Sequence, residues 1–143
     1  MNGPAAARQP IHGDTHEGNY LRTSAGAIGL IDFDKMMSAS PIFDLARIVG
    51  GTLFDSTTTA AVFDTAGAGD LLESYYAPGV AAENVVTSLE GFVVLLTEIT
   101  GILGRLSGDP ERLDRAEILG RWWLDRAGDP DPMGLRSELA RRG

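Results

Sequence analysis

The sequence contains no cysteine, which excludes disulfide bonds and thiolate metal sites. Lys35 is the only lysine among twelve basic residues, and these residues form no extended basic run. Twenty acidic residues bring the formal net charge to −8, so the chain lacks the positive footprint that nucleic acid or an anionic membrane surface requires. We therefore expect neither nucleic acid nor a membrane among its partners.

Long apolar runs are also missing. The N-terminal residues lack the apolar core of a signal peptide. The most apolar stretch, residues 91–103, is interrupted by Glu98 and is shorter than a membrane span. We therefore expect a cytoplasmic protein. A chain of 143 residues, 43% apolar and 22% charged, is long enough for one compact domain with a hydrophobic core.

The first part of the chain is predicted to be irregular or extended. Its first ten residues are interpreted as a loop. Residues 20–22 and 27–31 are expected to pair as a hairpin, because residues 23–26 between them suit a tight turn. After Pro41 the sequence is predicted to be mainly helical.

Within the helical part, residues 83–106 form the most clearly predicted helix. Its apolar residues recur at intervals of three and four, in a stripe so wide that we expect burial on most sides. Residues 52–65 stay ambiguous, because three consecutive threonines disfavour a helix. The glycines at 67 and 69 are not expected to form a phosphate loop, since no strand is predicted before them. The predicted helices are residues 41–49, introduced by Ser40 and Pro41 and ended by Gly50 and Gly51, then 70–77, 83–106, 110–127 after the N-cap Asp109, and 135–142.

The residues that suggest chemistry lie in IHGDTHEGN, residues 11–19, and IDFD, residues 31–34. Asp14 precedes Asn19 by five positions, and Asp32 follows thirteen positions later. Phosphoryl transfer needs a carboxylate that orients the attacking hydroxyl and accepts its proton. It also needs hard oxygen ligands that hold Mg²⁺ against a triphosphate. A hairpin between Asn19 and Asp32 would return both side chains to one edge of the fold.

These motifs resemble the aminoglycoside phosphotransferase and choline kinase superfamily, which has a protein-kinase-like fold. The resemblance rests on HGDTHEGN, IDFD and DLAR, which cover about a quarter of the chain. It implies an α+β, mostly helical structure that corresponds to the C-terminal lobe of that fold. Within a single unit of residues 1–143, residues 11–34 would form the catalytic and metal-binding loops with their hairpin, and residues 41–143 a helical subdomain.

The resemblance also implies roles for individual residues. Asp14 would be the catalytic base, and Asn19 and Asp32 would be the Mg²⁺ ligands. Asp44 would hold the backbone of the catalytic loop from the start of the next helix. His12 would pack and hydrogen-bond beneath that loop.

Other residues near these motifs keep two interpretations. Asp34 is either an auxiliary metal contact or a solvated acid, and His16 is interpreted as a surface or loop-packing histidine. Trp122 and Trp123 are expected to belong to the core or the lobe surface.

Members of the superfamily carry a β-rich N-lobe with a nucleotide-clamping lysine before the catalytic loop. Lys35 follows Asp32 in the sequence, so no lysine of this chain matches that position. We therefore expect a truncated C-lobe fragment that is inactive unless another chain supplies an N-lobe. Apolar surfaces left uncovered would favour a homodimer.

The expected function is ATP- and Mg²⁺-dependent phosphoryl transfer to a hydroxyl of a small molecule such as an aminoglycoside, a sugar or an amino alcohol. An acidic chain suits a cationic acceptor, although acidic composition is too common to decide the matter. The alternative is a non-catalytic remnant or interaction module of the same fold. A metallophosphoesterase is rejected, because its two-metal site needs more histidines than the two present.

Overall fold

The computed structural model describes residues 8–56, 59–76 and 83–143. In these ranges the protein is α+β and mostly helical, with three two-stranded antiparallel sheets. A 3₁₀ turn at Glu17–Asn19 and a π turn at Val49–Leu53 interrupt the regular elements. In chain order these elements are β1 (Gln9–Ile11), β2 (Tyr20–Arg22), β3 (Ile28–Leu30), β4 (Met37–Ala39), α1 (Ile42–Ile48), β5 (Phe54–Ser56), β6 (Ala61–Phe63), α2 (Thr65–Tyr75), α3 (Glu83–Ser107), α4 (Pro110–Asp125) and α5 (Leu135–Arg142).

The predicted hairpin is confirmed. Strands β2 and β3 are antiparallel, with Tyr20 opposite Leu30 and Arg22 opposite Ile28. Gly26 has φ +84° in the turn, a conformation that glycine adopts without steric cost. The hairpin therefore spans the sequence between Asn19 and Asp32, as the spacing of the motifs requires.

The interpretation of the first ten residues as a loop is wrong at Gln9 and Pro10. Both belong to β1, which pairs with β4 so that Ile11 lies opposite Met37. Three residues that include a proline carry no local strand signal, and the pairing joins positions 26 or more apart in the chain. This sheet brings residues 9–11 next to residues 37–39, which lie at the two ends of the segment that contains HGDTHEGN and IDFD. Residues 1–7 lie outside the described ranges.

The ambiguous segment before α2 contains a second hairpin, in which Phe54 of β5 lies opposite Phe63 of β6. Helix α2 begins five residues earlier than predicted, at Thr65, because Asp64 caps it by accepting a hydrogen bond from the Gly67 N–H at 2.8 Å. The expectation that no strand precedes the glycines at 67 and 69 is wrong, since β6 does. Both glycines nevertheless lie inside α2 and form no loop.

Helix α1 begins at Ile42, one residue later than predicted, so Pro41 and not Ser40 is its N-cap residue. The Ser40 hydroxyl accepts a hydrogen bond from the Ile42 N–H at 3.3 Å. The α-helix ends at Ile48, and Gly50 and Gly51 lie in the π turn that follows it.

Helix α3 is confirmed to within one residue of its predicted end, and it passes from the core to the surface along its length. Val85, Leu89 and Val93 are buried in its first half. In its second half Leu103 is 45% exposed and Leu106 is 80% exposed. The expectation of burial on most sides is therefore wrong for the second half. The buried core cluster consists of Ile42, Leu45, Ala46, Val49, Phe54, Ala68, Leu72, Tyr76, Val85, Val86, Leu89, Val93, Leu119, Trp122, Met133 and Leu135.

By length and composition alone, α3 could cross a membrane. Within Asn84–Ser107 an 18-residue window has a mean hydropathy of 1.6, and 33% of that window is buried inside the protein. The prediction that the apolar stretch is too short for a bilayer is therefore wrong on length, because the helix extends beyond residues 91–103 on both sides. Core helices satisfy the same criterion, and the first half of α3 contributes directly to the core.

Helix α4 packs against the second half of α3. Its predicted N-cap is confirmed, since the Asp109 carboxylate accepts hydrogen bonds from the backbone of Glu111 and Arg112. A Cβ on Gly104 would lie 3.1 Å from Leu113, so the absence of a side chain there allows α3 and α4 to approach closely. Helix α5 has the predicted bounds and is anchored to α2 by an ion pair between Arg142 and Asp70.

Candidate active site

Residues 12–19, called the 12–19 loop below, are held by Asp44 in the first turn of α1. The Asp44 carboxylate accepts hydrogen bonds from the backbone N–H of His12 at 2.8 Å and of Gly13 at 2.9 Å. The Asp44 carbonyl accepts a third bond, from the Thr15 hydroxyl at 2.8 Å. The two bonds to the Asp44 carboxylate are charge-assisted and therefore stronger than neutral hydrogen bonds, so α1 fixes the position of the loop.

The His12 ring is buried beneath the loop. Its Nδ1 lies 3.2 Å from the Asp14 backbone N–H, and its Nε2 lies 2.8 Å from the Ile31 carbonyl oxygen. These partners fit the tautomer in which Nδ1 accepts and Nε2–H donates. The ring also contacts Phe33, with centroids 4.7 Å apart. His12 thus links the 12–19 loop to the strand end that precedes Asp32.

Gly13 is required by the geometry of the loop. Its φ is +81°, and a Cβ at this position would lie 2.2 Å from the Lys35 carbonyl oxygen. A side chain would therefore collide with backbone as well as adopt a disfavoured conformation. The close approach brings the segment that contains Lys35 against the loop.

The Asp14 side chain is buried, and each of its carboxylate oxygens contacts a cation. Arg47 Nη2 lies 2.6 Å from Oδ1, and Lys35 Nζ lies 2.9 Å from Oδ2. His16 Nε2 lies 3.7 Å from the same Oδ2. Asp14 is therefore the centre of a small charged network.

Burial raises the pKa of Asp14, but the hydrogen bonds from Lys35 and Arg47 and the charges of both cations lower it by more. The net effect places the pKa of Asp14 below the ordinary value of 3.8. The side chain is therefore ionised at neutral pH and can accept hydrogen bonds.

Sequence reasoning missed both cations that bind Asp14. The sequence pattern excludes Lys35 as a nucleotide-clamping lysine but does not indicate its contact with Asp14, and it assigns Arg47 no role beyond its place in DLAR. One signal was present for Arg47, because it lies three residues after Asp44 and so on the same face of α1. The face of α1 that binds the loop backbone through Asp44 can therefore also reach the Asp14 carboxylate through Arg47.

Asn19 is buried at the end of the 3₁₀ turn and is bonded to the loop on two sides. Its side-chain nitrogen donates to the Asp14 carbonyl oxygen at 2.8 Å, and its own carbonyl accepts from the Ile31 N–H at 3.0 Å. The bond from the amide nitrogen orients the side chain, and the amide oxygen is the atom that Asn19 can offer to a cation.

Asp32 directly follows Ile31 and has φ +61°. Among the residues in the described ranges, it is the only non-glycine with a positive φ. This left-handed conformation costs about 1–2 kcal/mol in an L-residue, and such strain is concentrated at functional sites. Asp32 is exposed, as is Asp34 two positions later.

Asn19 and Asp32 carry oxygen atoms of the hard type that Mg²⁺ binds. No group of three or more histidine or acidic side chains that could hold a metal occurs within 8–56, 59–76 and 83–143. Mg²⁺ does not need such a cage, since it commonly takes one or two protein oxygens and completes its shell with phosphate and water. The Asn19 amide oxygen and the Asp32 carboxylate are oxygen atoms of the chemical type that Mg²⁺ takes.

Comparison with known proteins identifies the family. A model of the phosphotransferase enzyme family matches residues 2–83, which is more than half of the chain and includes the 12–19 loop, the β2–β3 hairpin and α1. No curated protein and no solved structure matches. The match confirms the superfamily that the motifs indicated. The chain belongs to the phosphotransferase enzyme family.

Proposed function

We propose that this chain supplies the catalytic and metal-binding residues of an ATP- and Mg²⁺-dependent phosphotransferase that acts on a hydroxyl of a small molecule. The observation that carries this proposal is the hydrogen-bonded chain from Asp14 through Asn19 to Ile31, which ends next to Asp32. It connects the backbone of the residue with the buried, ionised carboxylate to the two residues that would supply hard oxygen ligands. The family supports phosphoryl transfer in general.

Asp14 would accept a hydrogen bond from the acceptor hydroxyl and orient its oxygen toward the terminal phosphorus of ATP. The new O–P bond forms as the bond from phosphorus to the bridging oxygen breaks, ADP leaves, and the hydroxyl proton passes to Asp14. A carboxylate with a lowered pKa is a weak base. It therefore suits a loose transition state, in which the nucleophile keeps its proton until late.

Asn19 and Asp32 would hold the magnesium ion through the amide oxygen and the carboxylate. When bound, Mg²⁺ offsets the charge of the phosphate oxygens. The hydrogen bond from Asn19 to the Asp14 carbonyl would keep the metal site in register with the hydroxyl-binding carboxylate.

We further propose that these elements form the C-terminal lobe of a protein-kinase-like fold, and that a nucleotide-binding unit packs on the hairpin side. Large apolar side chains are exposed there, with Ile28 at 71%, Met36 at 60% and Leu21 at 53%. An exposed apolar surface beside a charged site is typical of an interface. Lys35 is bound to Asp14 and is not placed as a nucleotide clamp.

Metal binding gives the most direct test. We expect Mn²⁺, used as a paramagnetic substitute for Mg²⁺, to bind with an affinity that Asp32→Asn weakens at least about tenfold. The matched control is Asp125→Asn, because Asp125 is also exposed but lies at the end of α4, outside residues 11–34. Equal losses in the two variants would show that the metal site is not at Asp32.

Activity is tested by the transfer of labelled phosphate from ATP to a panel of hydroxylated compounds, with Asp14→Asn as the inactive variant. We expect no transfer by these 143 residues alone. Transfer that requires Asp14 but no added partner would contradict the proposed need for a separate nucleotide-binding unit.

The exposed side of α3 favours a second candidate function, an interaction module without catalysis. Leu106 is 80% exposed and Ile102 is 47% exposed, which is unusual for a helix this apolar. This candidate predicts that Asp32→Asn leaves Mn²⁺ binding unchanged, so the metal experiment distinguishes the two functions.

A further inference from the structure

Two adjoining cavities lie between α1, α3 and α4, beside the 12–19 loop. Their volumes are about 470 Å³ and 670 Å³, and both are lined by His16, Arg47 and Arg112. Asp14 lines the larger cavity. A small molecule that fills this cleft would place one end at the Asp14 carboxylate.

The cleft is basic, although the chain as a whole has a formal net charge of −8. Four cationic side chains line it against two carboxylates, so the local charge is opposite in sign to the charge of the protein. The cations are Lys35, Arg47, Arg112 and Arg115, and the carboxylates are those of Asp14 and Glu17.

Much of this positive charge is not neutralised within the protein. Arg115 donates to the Ser56 hydroxyl at 2.9 Å and to the Gly50 carbonyl, both neutral acceptors. Among the described residues it has no carboxylate partner within ion-pair distance. Arg112 reaches Asp109 only at 3.8 Å, in an exposed pair, and such pairs contribute little.

Arg47 leaves a further donor unused. Its Nη2 is bound to Asp14, but its Nε is buried and has no hydrogen-bond partner in the described part of the chain. A buried donor without a partner is destabilising, which leaves the Arg47 guanidinium only partly satisfied within the protein. Carboxylate and phosphate oxygens are the groups that guanidinium ions bind best.

We propose that this cleft binds an anionic group of the acceptor, a carboxylate or a phosphate, through Arg112 and Arg115, while the acceptor hydroxyl lies at Asp14. The Asp14 end of this inference rests on the proposed function. The side chains of Leu96 and Phe43 line the walls and would contact the carbon skeleton between the two ends. The substrate class is therefore a hydroxylated acid or a sugar phosphate, and not the cationic acceptor that the overall composition suggests.

The site is distinct from the proposed nucleotide site. Neither Asn19 nor Asp32 lines either cavity. Nucleotide phosphates would depend on Mg²⁺ and on Asp32, whereas an anion held by arginines needs neither. Dependence on Mg²⁺ and on Asp32 therefore distinguishes a phosphate bound at the nucleotide site from one bound by the arginines of the cleft.

The test is the binding of inorganic phosphate to the full chain, followed by ³¹P NMR line broadening at constant ionic strength and without Mg²⁺. We expect saturable binding that Arg112→Gln and Arg115→Gln each weaken at least about tenfold, as for the loss of one charged hydrogen bond. The matched control is Arg121→Gln, because Arg121 lies on the same helix in an exposed pair with Glu117 and lines neither cavity. It should change the affinity less than twofold.

Arg112→Gln keeps the test valid if Arg115→Gln fails to fold, since Arg112 is 44% exposed and forms only the weak pair with Asp109. The proposal is overturned if wild-type protein shows no saturable binding, or if Arg121→Gln weakens binding as much as Arg112→Gln. It is also overturned if binding requires Mg²⁺ and is lost in Asp32→Asn, because the phosphate then occupies the nucleotide site. The experiment uses no ATP, so a failure here is separate from a failure of phosphoryl transfer.

Discussion

Arg47 Nη2 lies 2.6 Å from Asp14 Oδ1 and joins the second turn of α1 to the 12–19 loop across 33 residues of sequence. Lys35 holds the other oxygen of the same carboxylate at 2.9 Å. The two cations differ in their surroundings, since the side chain of Arg47 is 31% exposed and that of Lys35 is 66% exposed. The Asp14 carboxylate therefore forms a partly buried ion pair with Arg47 and an exposed ion pair with Lys35. The strengths of the two pairs can be compared within one site.

We expect Arg47→Met to lower the free energy of unfolding by about 1.5–3 kcal/mol, the value of a hydrogen bond to a charged group. Lys35→Met should cost less than about 1 kcal/mol, because its exposed charge is screened by solvent. Urea denaturation of the two variants measures the difference. Equal losses would show that exposure does not determine the strength of these pairs.

The pH dependence of stability follows from the lowered pKa of Asp14. A carboxyl whose pKa is lower in the folded than in the unfolded state stabilises the fold above its unfolded pKa. That contribution is lost as the pH falls through the folded value. We therefore expect the contribution of Asp14 to be complete at neutral pH and to decrease below about pH 4. In Asp14→Asn this part of the acid dependence should be absent.

Carboxyl ¹³C NMR titration measures the same effect directly. In Lys35→Met the pKa of Asp14 should rise relative to the wild type, because one hydrogen bond and one charge that lower it are removed. The matched control is Arg121→Gln, which leaves the surroundings of Asp14 unchanged. An unaltered pKa of Asp14 in Lys35→Met would contradict the ion pair.

Local patterns in the sequence were sufficient for most of the helices and for one hairpin. The bounds of α5 are as predicted, and α3 differs by one residue, because apolar periodicity and capping residues are encoded within each segment. The β1–β4 sheet was not predictable in this way. Its strands are three residues long and are stabilised by pairing between distant segments.

In the candidate site, too, local sequence motifs were predictable and contacts between distant segments were not. The motifs and their spacing predict Asp14, Asn19 and Asp32 as site residues, since phosphoryl transfer requires these residue types. Spacing could not indicate that Arg47 and Lys35 bind Asp14, because that contact depends on the close approach of the 12–19 loop to α1 and to the segment after Asp32. The roles in catalysis and metal binding remain predictions.

The bond from Asp44 to the 12–19 loop gives another prediction. In Asp44→Asn the amide nitrogen cannot accept, so one of the two backbone N–H groups of His12 and Gly13 loses its partner. We expect a loss of about 1–3 kcal/mol in unfolding free energy and faster hydrogen exchange at that amide. The control is Asp64→Asn, where one backbone bond is made and asparagine caps as well as aspartate. A similar loss in both variants would argue against a special role for Asp44.

The last prediction separates backbone strain from steric collision at Gly13. Gly13 and Gly26 have nearly the same φ, +81° and +84°, but a Cβ on Gly26 would meet no atom within 4 Å. Gly26→Ala should therefore cost only the left-handed conformation, about 1–2 kcal/mol.

Gly13→Ala carries the same backbone cost and also places a Cβ 2.2 Å from the Lys35 carbonyl oxygen, which is backbone and cannot rotate away. We expect a total loss of about 2–5 kcal/mol, since collisions in packed regions cost about 1–3 kcal/mol in addition to the backbone cost. Chemical denaturation of both variants gives the difference between them. Because Lys35 follows Asp32 by three positions, the displaced segment should also weaken Mn²⁺ binding in Gly13→Ala but not in Gly26→Ala. Equal stability of the two variants would show that the 12–19 loop is not packed against the Lys35 backbone.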